Sequence, residues 1–221
     1  MGICKTSSIG RKLIQSITGG ALVIFLTFHA IMNIFVVISP NAYDASCEFL
    51  GANWYAVVGT LGLALLVVLH FIFAFVLTFR NYQARGRERY AVTDRPKGVE
   101  WSSQNMLVLG IVIVGFLALH LLNFWYKMQL QELMGKELAM TGAAFVQSLF
   151  SHPLYCVLYM IWLAALWFHL NHGIWSAFQT IGWNNNKWLP RLKCISRIYS
   201  TLVCGLFFLI PLYYLITNLF C

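Results

Sequence analysis

Charge is what this sequence has least of. Asp, Glu, Lys and Arg make up 10% of its 221 residues, against roughly 25% in a soluble globular domain, so a solvated fold is excluded. Acid is scarcer than base, with seven acidic residues against 15 basic ones. All seven (Asp44, Glu48, Glu88, Asp94, Glu100, Glu132 and Glu137) fall outside the long apolar runs or at their ends. That argues against a transporter or channel built around carboxylates at mid-membrane. The six cysteines (Cys4, Cys47, Cys156, Cys194, Cys204 and Cys221) show no C-x-x-C spacing. Neither a thiolate metal site nor a disulfide framework is expected of them, and they read as small apolar residues. Internal repeats and low-complexity tracts are lacking as well.

What the chain has in abundance is apolar length. Hydrophobic residues are 60% and aromatics 16% of the sequence, gathered in runs at about 13–38, 54–79, 104–127, 153–178 and 197–219, each near the 20 or so residues a bilayer crossing takes. The expectation is an all-α membrane protein, residues 1–221 forming one domain of five transmembrane helices. Backbone groups must be satisfied internally in lipid, and the runs are too long and too uniformly apolar for the alternating strands of a barrel. Lys5, Arg11 and Lys12 ahead of the first run resemble the start of a secretory signal. The run is too long for one, however, and holds Phe28, His29 and Asn33, so it reads as a mature helix.

Orientation follows from the basic residues. With the N-terminus on the cytoplasmic side, all but Lys127 and Lys136 of the 15 fall on that side: Lys5, Arg11, Lys12, Arg80, Arg85, Arg87, Arg89, Arg95, Lys97, Lys187, Arg191, Lys193 and Arg197. This is the positive-inside pattern, and it places the C-terminus outside, in an inner (cytoplasmic) membrane. The cations are split among three segments, which suits a protein-docking face or anionic lipid headgroups and does not suit nucleic acid. The segment after the third run, MQLQELMGKELAMTGAAFVQSLFSHP, is expected to hold a short interfacial helix before His152 and Pro153. The inner segment RNYQARGRERYAVTDRPKGVEWSSQ reads as an ordered or semi-ordered connector.

Histidine carries the chemistry. His152 sits at the outer mouth of the fourth run and reads as interfacial. His29, His70, His120, His169 and His172 lie within apolar runs, where ionisable residues face the bundle interior and mark a site. At about 1.5 Å per residue, His29 and His120 lie roughly 10–14 Å below the outer surface, and His70 and His169 about 14 Å from the inner one. Four helices thus offer one histidine each, in two layers of two. Paired imidazoles at one depth match the axial ligation of a b-type haem, one on each face of the iron, so two layers imply two haems. His172, three residues after His169, has no partner at its depth and is expected not to ligate. Gly173 follows where a macrocycle can approach closely.

The segments TFHAIMN, LHFIFAFVLTFRNY, ALHLLNFW and FHLNHGIWSAFQTIGW resemble the cytochrome b subunit of succinate:quinone oxidoreductases, in the single-subunit, five-helix, two-haem class. The likeness spans essentially the whole chain. It implies His29 with His120 on the outer haem and His70 with His169 on the inner one, the pairing that depth gives independently. It further implies Gln15 and Ser16, in LIQSITGG, near a haem propionate. Implied partners are a soluble flavoprotein subunit and an iron–sulfur subunit on the cytoplasmic face, which would carry the succinate or fumarate chemistry. This chain would be the quinone-reactive subunit, and the likeness alone points to menaquinone. Some members carry a glutamate for proton movement two residues before the last ligand; here that position is Trp167.

Electrons passing through two haems would end at the outer one, so quinone is expected near the outer surface with a titratable group in reach. Glu48, in CEFLGANW, is the candidate, with Phe49, Leu50 and Trp54 beside it expected to form a pocket for the quinone ring and partial burial there expected to suit it to proton exchange. Asp44, Glu132 and Glu137 are the other acids outside. Two alternatives stand beside this reading: a di-haem cytochrome b serving a hydrogenase or formate dehydrogenase, and a transporter lined by histidines.

Overall fold

A computed structural model describes residues 7–51, 53–85 and 100–220. It is helical throughout these residues: α1 (Ser8–Ile38), α2 (Pro40–Phe49), α3 (Trp54–Arg85), α4 (Trp101–Gln104), α5 (Met106–His120), a π-helical turn (Leu121–Trp125), α6 (Gln129–Leu133), α7 (Gly142–Phe150), α8 (Pro153–Thr180) and α9 (Trp188–Phe220). Five helical stretches, 8–38, 54–84, 106–125, 153–180 and 188–220, are long and apolar enough to cross a membrane. Lys5, Arg87, Arg89, Arg95 and Lys97 lie outside the described residues, as do Glu88, Asp94, Cys4 and Cys221.

The spans run close to the apolar stretches that suggest them, with one large difference. α9 begins at Trp188, ahead of the expected start at 197, because Trp188–Arg197 is a cationic stretch of nearly three helical turns that continues straight into the apolar run. α2 stands where a connector was expected, and the segment expected to hold one short interfacial helix holds two. Ser39 caps α2 by accepting from the Ala42 amide at 3.4 Å, with Pro40 as its first residue; proline is well placed there, since its missing N–H is one of the helix's orphans. The interfacial segment after the third span holds α6 and α7.

Packing is uneven. α8 lies along α9 as the tightest helix pair, and α1 touches α3, α8 and α9. Ser196 and Ser200, on α9, are fully buried, with Cys204 one turn further nearly so; small residues at this spacing let two helix backbones approach closely in lipid. Tyr199 ties α9 to α1, donating to the Val23 carbonyl at 3.0 Å and sharing a short hydrogen bond with Thr27. By contrast α3 and α5 keep most of their surface uncovered, leaving the flank where they stand lightly walled. Cys47, Cys156, Cys194 and Cys204 are free thiols.

Side-chain bonds hold the two ends. At the end opposite the N-terminus, Asp44 accepts from the Ala143 amide at 2.7 Å, a carboxylate at the start of α7 where the helix dipole favours negative charge. Gln129 accepts from Thr60 at 3.0 Å and from Trp125 at 2.8 Å, and Asn218 donates to the Phe150 carbonyl at 2.8 Å. At the N-terminal end, Glu100 meets Lys193 at 2.9 Å.

Candidate functional site

The interior histidines come together two by two. His29 on α1 faces His120 on α5, with ring centroids 5.9 Å apart and planes at 88°. His70 on α3 faces His169 on α8, at 6.3 Å and 69°. These are the pairs that depth along the spans suggests.

The first pair is nested in rings, with the Asn33 amide 3.2 Å from Nδ1 of His29. Phe25 stacks on His29 at 5.1 Å, one turn back along α1, and Phe207 of α9 lies 5.6 Å away. Pro211 follows Phe207 by one turn inside α9 and lacks the N–H that would bond the Phe207 carbonyl. Around His120 stand Phe124, Trp162 and Tyr159, with centroids at 5.2, 5.5 and 6.2 Å. The π-helical turn begins at the next residue, closed by the Tyr126 amide on the Leu121 carbonyl at 2.8 Å. Such a turn inserts an extra residue into the helical ladder and often marks a functional position. Asn123 on it donates to the Tyr159 hydroxyl at 3.2 Å.

The second pair has polar company. The Thr18 hydroxyl donates to the Ile14 carbonyl at 2.9 Å and also lies 3.2 Å from Nδ1 of His70. Having spent its proton on the carbonyl, that hydroxyl is an acceptor toward the ring, so Nδ1 of His70 carries the hydrogen and Nε2 the lone pair. The Gln15 side-chain nitrogen lies 3.1 Å from that Nε2 and donates to it. Gly19 makes the approach possible: a Cβ there would sit 3.1 Å from Cε1 of His70.

These residues fit b-type haem. Two imidazole nitrogens on opposite sides of one ion, each at about 2 Å, put their ring centroids about 6 Å apart, close to both separations here. Nδ1 of His120 and Nδ1 of His169 are buried without a partner, and ligation through the opposite ring nitrogen would leave them so. Among the described residues no group of three or more His, Cys, Asp or Glu could hold an ion unaided. A pair of histidines leaves the remaining coordination to the bound group, which a porphyrin's four nitrogens satisfy. At His70 the Gln15 amide occupies the direction a metal would take, so Gln15 would have to turn aside for one to bind there.

The remaining predicted residues fall as follows. Gln15 reaches the site through His70, whereas Ser16 donates to the Lys12 carbonyl at 2.9 Å and touches neither pair. His172 is buried and makes a T-shaped contact with Trp175 at 4.7 Å; its Nδ1 lies 3.8 Å from Glu100. Lys193 sits over Trp175 at 4.6 Å. Burial raises the Glu100 carboxyl, and the hydrogen bond and charge of Lys193 more than reverse that, holding it below the usual carboxylate range. Gly173 faces open space, with nothing within 4 Å of where a Cβ would stand. Trp167 donates to Thr201 at 3.0 Å.

Glu48 does not receive the enclosure expected of it. It lies exposed near the end of α2, and its neighbours Phe49 and Trp54 are 66% and 77% exposed. The reason is α2 itself, whose buried contact is made by Tyr43, so Glu48 turns to the outside. Glu132 and Asp44 are the half-buried acids at this end, the Glu132 carboxylate 2.5 Å from where a Cβ on Gly51 would stand. Cys47, beside it, is pushed up to about 11 by burial, with the nearby Asp44, Glu132 and Glu48 charges adding to the shift against a hydrogen bond from Tyr43. Nothing in the sequence singles out Thr18; the signal is there only once α1 is known to lie on α3.

Of the basic residues expected to form one face, Arg11 is buried, while Lys12, Lys187, Arg191 and Arg197 are exposed. Compared with known protein families, curated proteins and solved structures, the chain gives no match. Fold and site together define a helical protein of five membrane-length spans with two intramembrane histidine pairs.

Proposed function

We propose that this chain is a di-haem cytochrome b, the membrane-anchor subunit of a succinate:quinone oxidoreductase, linking a flavoprotein and an iron–sulfur subunit to membrane quinone. What supports the reading is one observation: four histidines from four different helices meet in two pairs, with ring centroids at 5.9 and 6.3 Å. When bound, each haem supplies a one-electron couple. His29 and His120 hold one, and His70 and His169 the other. Thr18 orients His70 by accepting its Nδ1 hydrogen, which presents Nε2 to the metal and strengthens the imidazole as a ligand. The aromatic nest of Phe25, Phe124, Trp162 and Phe207 keeps water from the first pair. Exposed Lys12, Lys187, Arg191 and Arg197 give the N-terminal end a basic surface for the soluble subunits, on the cytoplasmic side of an inner membrane. Menaquinone is the proposed quinone, and Trp167 offers no proton where some relatives of the proposed family carry a carboxylate.

The test is optical. Membranes containing the chain and its soluble partners should show a b-type band that succinate reduces and a naphthoquinone reoxidises. A band reduced by hydrogen or formate and untouched by succinate would move the chain to another respiratory complex. The lack of any reducible b-type band would overturn the reading.

A further inference from the structure

The polar neighbours of His29 and His70 place the ring hydrogen on opposite nitrogens. Asn33 stands one turn after His29 on α1. Its side-chain nitrogen donates to the His29 carbonyl at 2.8 Å and lies 3.2 Å from Nδ1 of the same residue. The carbonyl decides which end of the amide is which, because an amide oxygen in that place would face another oxygen at 2.8 Å. An NH2 group has two hydrogens and nothing to accept with. One hydrogen meets the carbonyl and the other meets the ring, so Nδ1 of His29 holds the lone pair and Nε2 the hydrogen. His70 is the reverse, since Thr18 accepts from its Nδ1 and leaves Nε2 bare.

We propose that Asn33 is a positioning residue that opposes ligation by His29, and so sets how firmly the first pair holds its haem. This rests on the reading of the chain as a di-haem cytochrome. A neutral imidazole binds a metal through its bare nitrogen. Nδ1 of His29 is turned back to Asn33 on its own helix, which leaves Nε2 for an ion shared with His120, and Asn33 keeps a hydrogen on that nitrogen. For His29 to ligate, a hydrogen must leave Nε2 and one must join Nδ1, and the bond from Asn33 to the ring is lost. The usual second partner of a metal-bound histidine accepts the hydrogen of the far nitrogen and strengthens the ligand; Asn33 donates where such a partner accepts. Gln15 is a different case. It donates to Nε2 of His70 at 3.1 Å and competes for the lone pair, but Thr18 has already chosen the tautomer that ligation needs. Gln15 also has a longer side chain to swing away. Asn33 is tied to the His29 carbonyl, and turning its oxygen toward the ring would set that oxygen against the carbonyl.

The experiment has two arms on the full chain in detergent. In the first, the chain carries nitrogen-15 histidine and is depleted of haem, and nuclear magnetic resonance reads which nitrogen of each ring bears the hydrogen, with His29→Gln identifying the His29 signals. Expected is hydrogen on Nε2 of His29 and on Nδ1 of His70, with Asn33→Leu removing the preference at His29 alone. In the second arm, haem is titrated into the unaltered chain, Asn33→Leu and Asn33→Asp. Asn33→Leu should tighten the site of the first pair about three- to tenfold, the worth of one hydrogen bond that ligation no longer breaks, and leave the second pair as it was. Asn33→Asp, which offers an acceptor to Nδ1, should tighten it further and lower the midpoint potential of that haem only. Leucine is at home in a span, so Asn33→Leu carries the test should a carboxylate at this depth prevent folding. Hydrogen on Nδ1 of His29 in the unaltered chain would overturn the proposal. So would unchanged or weaker haem binding in Asn33→Leu, or an equal change at both pairs, and each of these would leave the cytochrome reading intact. Absence of haem binding from every variant and from the unaltered chain would overturn that reading and this role with it.

Discussion

Around His29 and His120 most neighbours are rings, with the Asn33 amide 3.2 Å from Nδ1 of His29; around His70 they are an amide and a hydroxyl. Phe25, Phe124, Trp162 and Phe207 enclose the first pair within 5.6 Å between centroids. Gln15 and Thr18 hold the second through bonds of 3.1 and 3.2 Å. The same ligand set is thus placed by two kinds of force. At the first pair packing against rings acts together with the Asn33 amide at Nδ1 of His29. A directed hydrogen bond sets both orientation and tautomer at the second, leaving it open to tuning through one hydroxyl. The two sites should therefore break independently and respond differently to polar substitution.

The largest effect should come from the ligands. His70→Ala and His169→Ala should each remove the same haem and spare the other, while His29→Ala and His120→Ala remove the remaining one. His172→Ala should retain both. Optical and electron-spin spectra of the five variants check this, and losses that cross between pairs would dissolve the comparison. Next comes Thr18→Val, which keeps volume and removes the acceptor. Loss of such a partner to a metal-ligating histidine typically costs about 10–100-fold in metal affinity, so haem titration into the depleted protein should show one weakened site. An equal loss at both sites would mean that Thr18 acts on the bundle as a whole.

The N-terminal end also carries an ion pair that responds to acid, Glu100 with Lys193. Glu100 sits below its usual range because Lys193 outweighs the effect of its burial. A depressed carboxyl contributes stability above its unfolded value and loses it as pH falls through the lower folded value. The melting temperature of the purified chain should therefore fall on acidification below the ordinary carboxylate range, and Lys193→Ala should flatten that dependence. An unchanged slope in the variant would remove the pair from the account. The smallest effect is expected from Glu48→Gln. Its exposure makes a change within about twofold the expectation for quinone-linked turnover, as for most surface substitutions. A collapse of turnover would return the quinone to the α2 side.

The spans and the histidine pairs were legible because both depend on spacing along one chain. Apolar length marks a crossing, and a residue's distance from the end of its span gives its depth. What escaped depends on how helices lie against each other. Gln15 and Thr18 act on His70 only because α1 packs on α3, and the π-helical turn after His120 leaves no signature in LLNFW. α2 was readable in principle, since Ser39 followed by Pro40 is a start signal, but its polar composition reads as a loop. Glu48 was misjudged for that reason: apolar neighbours in sequence suggested enclosure, and the helix turned them outward.

The central claim is that each histidine pair holds its own haem. Haem and protein quantified together in the purified full chain, by pyridine haemochrome and amino-acid content, test it most directly. The account predicts two haems per polypeptide, falling to one in His70→Ala and to one in His120→Ala. A ratio of one in the unaltered chain, or none, would contradict it.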